Sequence, residues 1–182
     1  MNATISQAIL LVDGYNVIGS WAYLQSIRDQ KGLEYARNSL IESLINYSGY
    51  KELETKIVFD AHYQKTVKNE EKYSKSLSVH YTSYSETADT YIEKFCASFV
   101  RQNPESRTRI IVATSDQAQR HTVVGYGAEW MSAQKLAKEI DFTSIRQKKN
   151  LRYRPKSQSR FLFNSLDSKT QQALVKMRFG GE

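Results

Sequence analysis

Cysteine occurs once in this chain, at Cys96, which excludes an internal disulfide framework and fits a reducing, cytoplasmic setting. Cys96 falls at helical spacing with Ile92, Phe95 and Phe99, the pattern of a packed thiol and not of a nucleophile. Histidine is also scarce. His62, His80 and His121 show no metal-ligand spacing, so a zinc centre is excluded. No Gly-x-Ser-x-Gly elbow and no phosphate-cradling glycine loop is present. No apolar run approaches the roughly 20 residues of a membrane span, so no membrane partner is expected. The first apolar run starts at Ile9, which leaves too little room for a cleaved leader.

What is there is an ordinary globular composition with a positive balance. The chain has 182 residues, 40% hydrophobic and 25% charged, enough for one domain with a core of usual size. Net charge is +7 and the pI about 9.4, which suits a polyanionic partner. Arg146, Lys148, Lys149, Arg152, Arg154, Lys156 and Arg160 form a stretch free of acids, whereas a solvated helix face normally mixes signs. We read it as a contact for nucleic acid or a ribosome.

Short apolar runs alternate with helical periodicities, which predicts an α/β fold: a three-layer sandwich around a mainly parallel sheet. Ile9-Leu10-Leu11-Val12 is the first strand, and Gly14 to Gly19 reads as a tight turn toward a short helix. Leu33, Ala36, Leu40, Ile41, Leu44 and Ile45 mark a helix that should stop near Ser48-Gly49. Lys56 to Phe59 is the second strand. Residues 61–76 lack apolar periodicity and read as a surface loop. Leu77 to Thr82 alternates like a strand with one exposed face. Ser85 is the expected cap of a helix from Glu86 to about Gln102, closed by Pro104. Arg109 to Ser115 is the fourth strand. A helix to about Val124, a short strand through Met131 and a helix capped by Ser132 follow. Residues 1–150 therefore read as the main domain. Residues 151–182 read as a basic linker and a last helix, capped by Ser165, packed on that domain.

The informative pattern is acidic. Asp13, Asp60 and Asp116 each stand where an apolar run stops, and Glu86 and Asp89 stand where another gives way to a helix. In a parallel sheet these positions meet at the carboxyl ends of the strands, where ligands bind. Two unit charges about 4 Å apart repel by roughly 4 kcal/mol at an effective dielectric near 20. A proton or a cation must offset that. Hard oxygen donors without Cys or His suit Mg²⁺ or Mn²⁺. Each acid alone has a plainer explanation. Asp13 and Asp116 can be turn or helix caps, Asp60 can start a loop, and Glu86 and Asp89 can be first-turn acids facing a helix dipole. Their joint placement is the signal.

These residues carry a resemblance. Asp13-Gly14-Tyr15-Asn16, Val58-Phe59-Asp60-Ala61-His62, Glu86-Thr87-Ala88-Asp89 and Ala113-Thr114-Ser115-Asp116 occur in the order seen in NYN domains of the PIN-like nuclease superfamily. The likeness is greatest to the YacP-like branch, endoribonucleases that cut mRNA in the A site of a 70S-type ribosome. It implies a metal-dependent endoribonuclease with a PIN-like fold. Asp13, Asp89 and Asp116 would be both the catalytic acids and the ligands of Mg²⁺ or Mn²⁺. Asn16, Asp60, Glu86 and Ser115 would support the site, with no small-molecule cofactor.

In chemical terms, one carboxylate would orient water for in-line attack on phosphorus, leaving a 5′-phosphate and a 3′-hydroxyl. Lys65, Lys68, Lys72, Lys148, Lys149, Arg152 and Arg154 would hold the RNA or ribosome. Tyr63, Tyr73, Tyr81 and Tyr84 would stack on bases or simply pack. The rival reading is a non-catalytic RNA- or ribosome-binding module, but a binder of polyanions gains nothing from a negative cleft. A phosphoacceptor receiver would need adjacent acids after the first strand, and Asp13 stands alone.

Overall fold

Continuous apolar character dictates the centre of the sheet. The computed structural model describes residues 8–60 and 69–152. In it, Ala8–Asp13 forms β1 with every residue buried. Alternate side chains of β1 enter two different cores. Leu10 and Val12 join Ile57, Phe59, Val79 and Leu136 on one face. Ile9 and Leu11 join Val58, Ile92, Cys96 and Val112 on the other. Each such fully buried aliphatic side chain contributes roughly 1.5–3 kcal/mol. Cys96 is packed in the second core as its spacing foretold, and burial pushes its thiol up to about 11.

The chain runs through α1 (Gly14–Ser20), α2 (Ala22–Lys31) and α3 (Leu33–Lys51) to β2 (Glu54–Phe59). It continues through β3 (Asn69–Lys72), β4 (Leu77–Tyr81) and α4 (Ala88–Gln102). β5 (Arg109–Ala113), α5 (Gln117–Gly125), β6 (Glu129–Met131) and α6 (Ala133–Arg152) follow. The six strands lie in the order β3-β4-β2-β1-β5-β6. All neighbours are parallel except β3 and β4. From β1 the chain first fills one side of the sheet, then crosses to the other at β5. The topological switch therefore lies between β1 and β5, where a doubly wound sheet opens a crevice at its carboxyl edge. The chain divides into two compact units, Met1–Ser144 and Ile145–Glu182.

Several elements differ from the sequence reading, each for a local reason. Gly14 to Gly19 is helix α1 itself, because Asp13 caps it directly. Helix α3 passes through Gly49 and ends only at Glu52, whose φ of 54° takes the left-handed role glycine usually fills. Part of the expected loop is strand β3, an all-polar edge strand held to β4 by the backbone ladder. Strand β4 has no exposed face, since Leu77, Val79, His80 and Tyr81 are all buried. Helix α4 begins at Ala88 with Thr87 as its cap, two residues later than Ser85 would place it. Helix α6 continues to Arg152, so Leu151 opens no linker. The rest of that stretch and the expected last helix lie outside the described residues.

Candidate active site

The strand-end acids do gather, and the caps that could have explained them away are part of how. Asp13 ends β1 and caps α1, its Oδ1 accepting from the Asn16 N–H at 3.1 Å. Asp116 follows β5 and caps α5, its Oδ1 accepting from the Gln119 N–H at 3.0 Å. Each cap occupies one carboxylate oxygen. Asp60, just past β2, accepts the Ala88 N–H through Oδ1 and so pins the start of α4. That places Asp89, in the first turn of α4, near enough to Asp13 for the two carboxyl groups to act on each other.

Two carboxyl groups that feel each other's charge hold a proton more tightly than free ones. Burial is the first cause that raises Asp13, to about 7. The Asn16 N–H works against the rise, and the charges of Asp89 and Asp60 add to it. Asp89 is likewise raised, first by desolvation and then by the charge of Asp116. Among the described residues none of the four aspartates has a Lys, Arg or His within ion-pair distance. Among the described residues the site is thus a cluster of negative charge with no cation to balance it.

Asn16 ties the two halves of the edge together. Its Oδ1 accepts the Ser115 N–H at 2.6 Å. The Ser115 Oγ accepts from the Ala133 N–H at 3.3 Å, and the Thr114 Oγ1 accepts from the Asp116 N–H at 3.0 Å. Asn16 and Ser115 therefore fix the β1 end against the β5 end across the switch point. Gly14 is required here for space, because a Cβ on it would overlap the Phe59 ring.

Other expected site residues fare differently. Glu86 precedes α4 and shares no helical face with Asp89. It pairs with Lys94 at 2.9 Å instead, and it is not among the charges acting on Asp13 or Asp89. Glu93 is, four residues after Asp89, and that spacing could have revealed it. His80 is buried and stacked on Tyr91 at 4.0 Å. Tyr81 belongs to the core, stacked on Phe59, while Tyr73 and Tyr84 are exposed. Lys72, Lys148 and Lys149 are exposed. Lys65, Lys68, Tyr63, His62 and Arg154 lie outside the described residues, as does the side chain of Arg152. Sequence reasoning also missed Arg37, a buried cation inside the apolar stripe of α3 whose Nη1 donates to the Tyr15 hydroxyl at 3.0 Å.

Among the described residues no three His, Cys, Asp or Glu side chains already stand as a ready set of metal ligands. The donor chemistry nonetheless fits a hard divalent cation. Two neighbouring carboxyl groups, both raised by burial and by like charge, present oxygens that a cation would take in place of a proton. Asp13 and Asp89 would hold it, with Asp116 acting on it through charge.

The sequence pattern described as the YacP-like NYN domain matches residues 10–179. YacP of Bacillus subtilis (strain 168) is 35% identical over 144 residues, which cover 79% of this chain and 81% of that protein. The crystal structure of Rae1 (YacP) from Bacillus subtilis superposes with a TM-score of 0.67 at 32% identity, covering 94% of this chain and 95% of that one. A crystal structure of a mutant of the same protein gives 0.65 at 30% identity, with 93% and 99% covered.

Proposed function

This chain belongs to the YacP-like NYN domain family, a nuclease-like family, and from that premise we propose that it is a metal-dependent endoribonuclease. Its substrate in this reading is mRNA, cut within the ribosomal A site in the cytoplasm. The observation that carries the reading is the Asp13–Asp89 pair, two carboxyl groups brought together at a switch point with no described cation to balance them. Pushing acids together at a cost in free energy is what a site for a cation and a phosphate requires.

When bound, Mg²⁺ or Mn²⁺ supplies neutralisation of phosphate charge and a more acidic water. The chain's own groups do the rest. Asp116 keeps one oxygen on the Gln119 N–H and offers the other to orient a water for in-line attack. Asp60 holds the first turn of α4, so that Asp89 stays beside Asp13. Asn16 and Ser115 hold the spacing between Asp13 and Asp116. Lys72, Lys148 and Lys149 are exposed cations available to RNA or ribosomal phosphates.

The deciding experiment supplies translating ribosomes, and separately end-labelled RNA, with Mg²⁺, Mn²⁺ or EDTA. Cleavage that needs the divalent ion and leaves 5′-phosphate and 3′-hydroxyl ends supports the reading. A 2′,3′-cyclic phosphate, or full activity in EDTA, rejects it.

A further inference from the structure

Arg37 plays no part in the acid site, yet it stands at the same edge of the sheet. It is only 8% exposed, on the face of α3 that carries Leu40, Ile41 and Leu44. A guanidinium carries five N–H donors and stays charged in a protein. The Tyr15 hydroxyl accepts from Nη1. Among the described residues no carboxylate lies within ion-pair distance of it. The acids of this neighbourhood, Glu34 and Glu71, act together with Arg37 on Tyr81 from beyond ion-pair distance of the guanidinium, and Glu71 already accepts the Tyr73 hydroxyl at 3.0 Å. A buried cation with no described anion at ion-pair distance is an unusual arrangement, because desolvation costs several kcal/mol per ion.

The surroundings suit an anionic ligand. Tyr15 lies two residues beyond Asp13. Its ring is 5.0 Å from that of Phe59, the last residue of β2, which is 5.8 Å from that of Tyr81, the last residue of β4. The charge of Arg37 also reaches the Tyr73 and Tyr81 hydroxyls. A planar donor fork bordered by phenols matches a phosphate diester, which takes two parallel N–H bonds and neighbouring O–H bonds. Strand alternation puts Asp13 on the α4 face and this cluster on the α3 face of one edge. A polyanion crossing the edge would meet both.

We propose that Arg37, framed by Tyr15, Tyr73 and Tyr81, is a subsite for a backbone phosphate of single-stranded RNA that flanks the acid site; this rests on the nuclease reading above. The subsite supplies a positive charge that no described residue brings to the acid site, and it sets the direction in which the strand enters.

The test measures binding of a short single-stranded RNA in EDTA, so that nothing is cut, to the wild-type chain and to Arg37→Gln. Arg37→Gln should weaken binding by about tenfold and flatten the slope of log affinity against log salt by about 0.7. Replacing the RNA phosphates one at a time by uncharged methylphosphonate should find one position that weakens wild type but not Arg37→Gln. Arg37→Lys, which keeps the charge and loses the fork, should lie between them, and it carries the same coupling test if Arg37→Gln does not fold. Unchanged affinity and slope with no coupled phosphate overturns the subsite, while metal-dependent cleavage by wild type would leave the nuclease reading standing. A coupled phosphate in a chain that cuts no RNA with any divalent ion would keep the subsite and reject the nuclease. A wild-type chain that binds no RNA overturns the subsite.

Discussion

The two ends of the central sheet handle charge in opposite ways. At the amino end, acids are matched to donors. Arg109 donates to both oxygens of Glu129, at 2.6 and 2.7 Å. Glu139 accepts the Tyr47 hydroxyl at 2.7 Å and pairs with Lys51 at 3.7 Å. These groups line a cavity of about 690 Å³, and Arg109 holds Glu129 below the usual carboxylate range. At the carboxyl end, four aspartates meet without a described cation, and Asp13 and Asp89 are driven up. The amino end has a wide opening but a satisfied charge set. Among the described residues the carboxyl end is electrostatically incomplete, and incompleteness is the better guide to chemistry than an opening.

The sharpest break of this contrast is to remove one charge from the carboxyl end. Asp13→Asn should lower RNA cleavage by roughly a hundredfold or more, in line with the loss of a group acting in the transition state. The same change should raise the thermal midpoint at pH 8 without divalent ions, because the Asn amide can donate to Asp89 where a proton otherwise must. Loss of activity together with loss of stability would mean that Asp13 is only a cap.

Titration gives the next largest effect. Asp13 moves from an ordinary 3.8 to about 7, so the folded chain binds this proton more tightly than the unfolded one. Its contribution is fully present below about pH 4 and is lost as pH rises through 7, by up to roughly 4 kcal/mol if no neighbour shares the proton. Denaturant melts in EDTA should show stability falling across that window, and Asp13→Asn should flatten the fall. Added Mn²⁺ should restore stability at pH 8, and a melt indifferent to Mn²⁺ would argue against cation binding.

Asn16→Ala should cost about 1–2 kcal/mol, since it leaves the part-buried Ser115 N–H unpaired. It should also lower cleavage more than it lowers RNA binding, because it touches spacing and not substrate. Equal losses in both would reassign Asn16 to substrate contact. The smallest effects belong to the amino end. Tyr47→Phe should cost about 1 kcal/mol and leave cleavage unchanged, as measured by denaturant midpoint and turnover. Glu129→Gln breaks a solvent-exposed pair and should move neither quantity measurably.

How much of this was legible depended on what kind of force set each feature. Burial on both faces writes itself as continuous apolar runs, so Leu10 to Val12, Val58-Phe59 and Ile110 to Val112 announced the central strands and the acids after them. Strand β3 is held by backbone ladder alone, and Asn69-Glu70-Glu71-Lys72 carries no apolar signal. The start of α4 was ambiguous because Ser85 and Thr87 are both competent caps. That two-residue choice decides whether Glu86 or Glu93 attends Asp89. Asn16 and Ser115 could be suspected singly, but their partnership spans 99 residues and has no local trace. Arg37 was hidden by its own charge, which reads as solvent-facing unless its place in the stripe of α3 is weighed first.

Gly14 has a further consequence. Its single hydrogen lets the Phe59 ring lie against the backbone that follows Asp13, so the two positions share one volume. The two positions are coupled: Gly14→Ala should be tolerated only together with a smaller side chain opposite, as in Phe59→Leu. The geometry of the acids is in this sense set by a contest over room between a glycine and a ring, neither of which carries any charge.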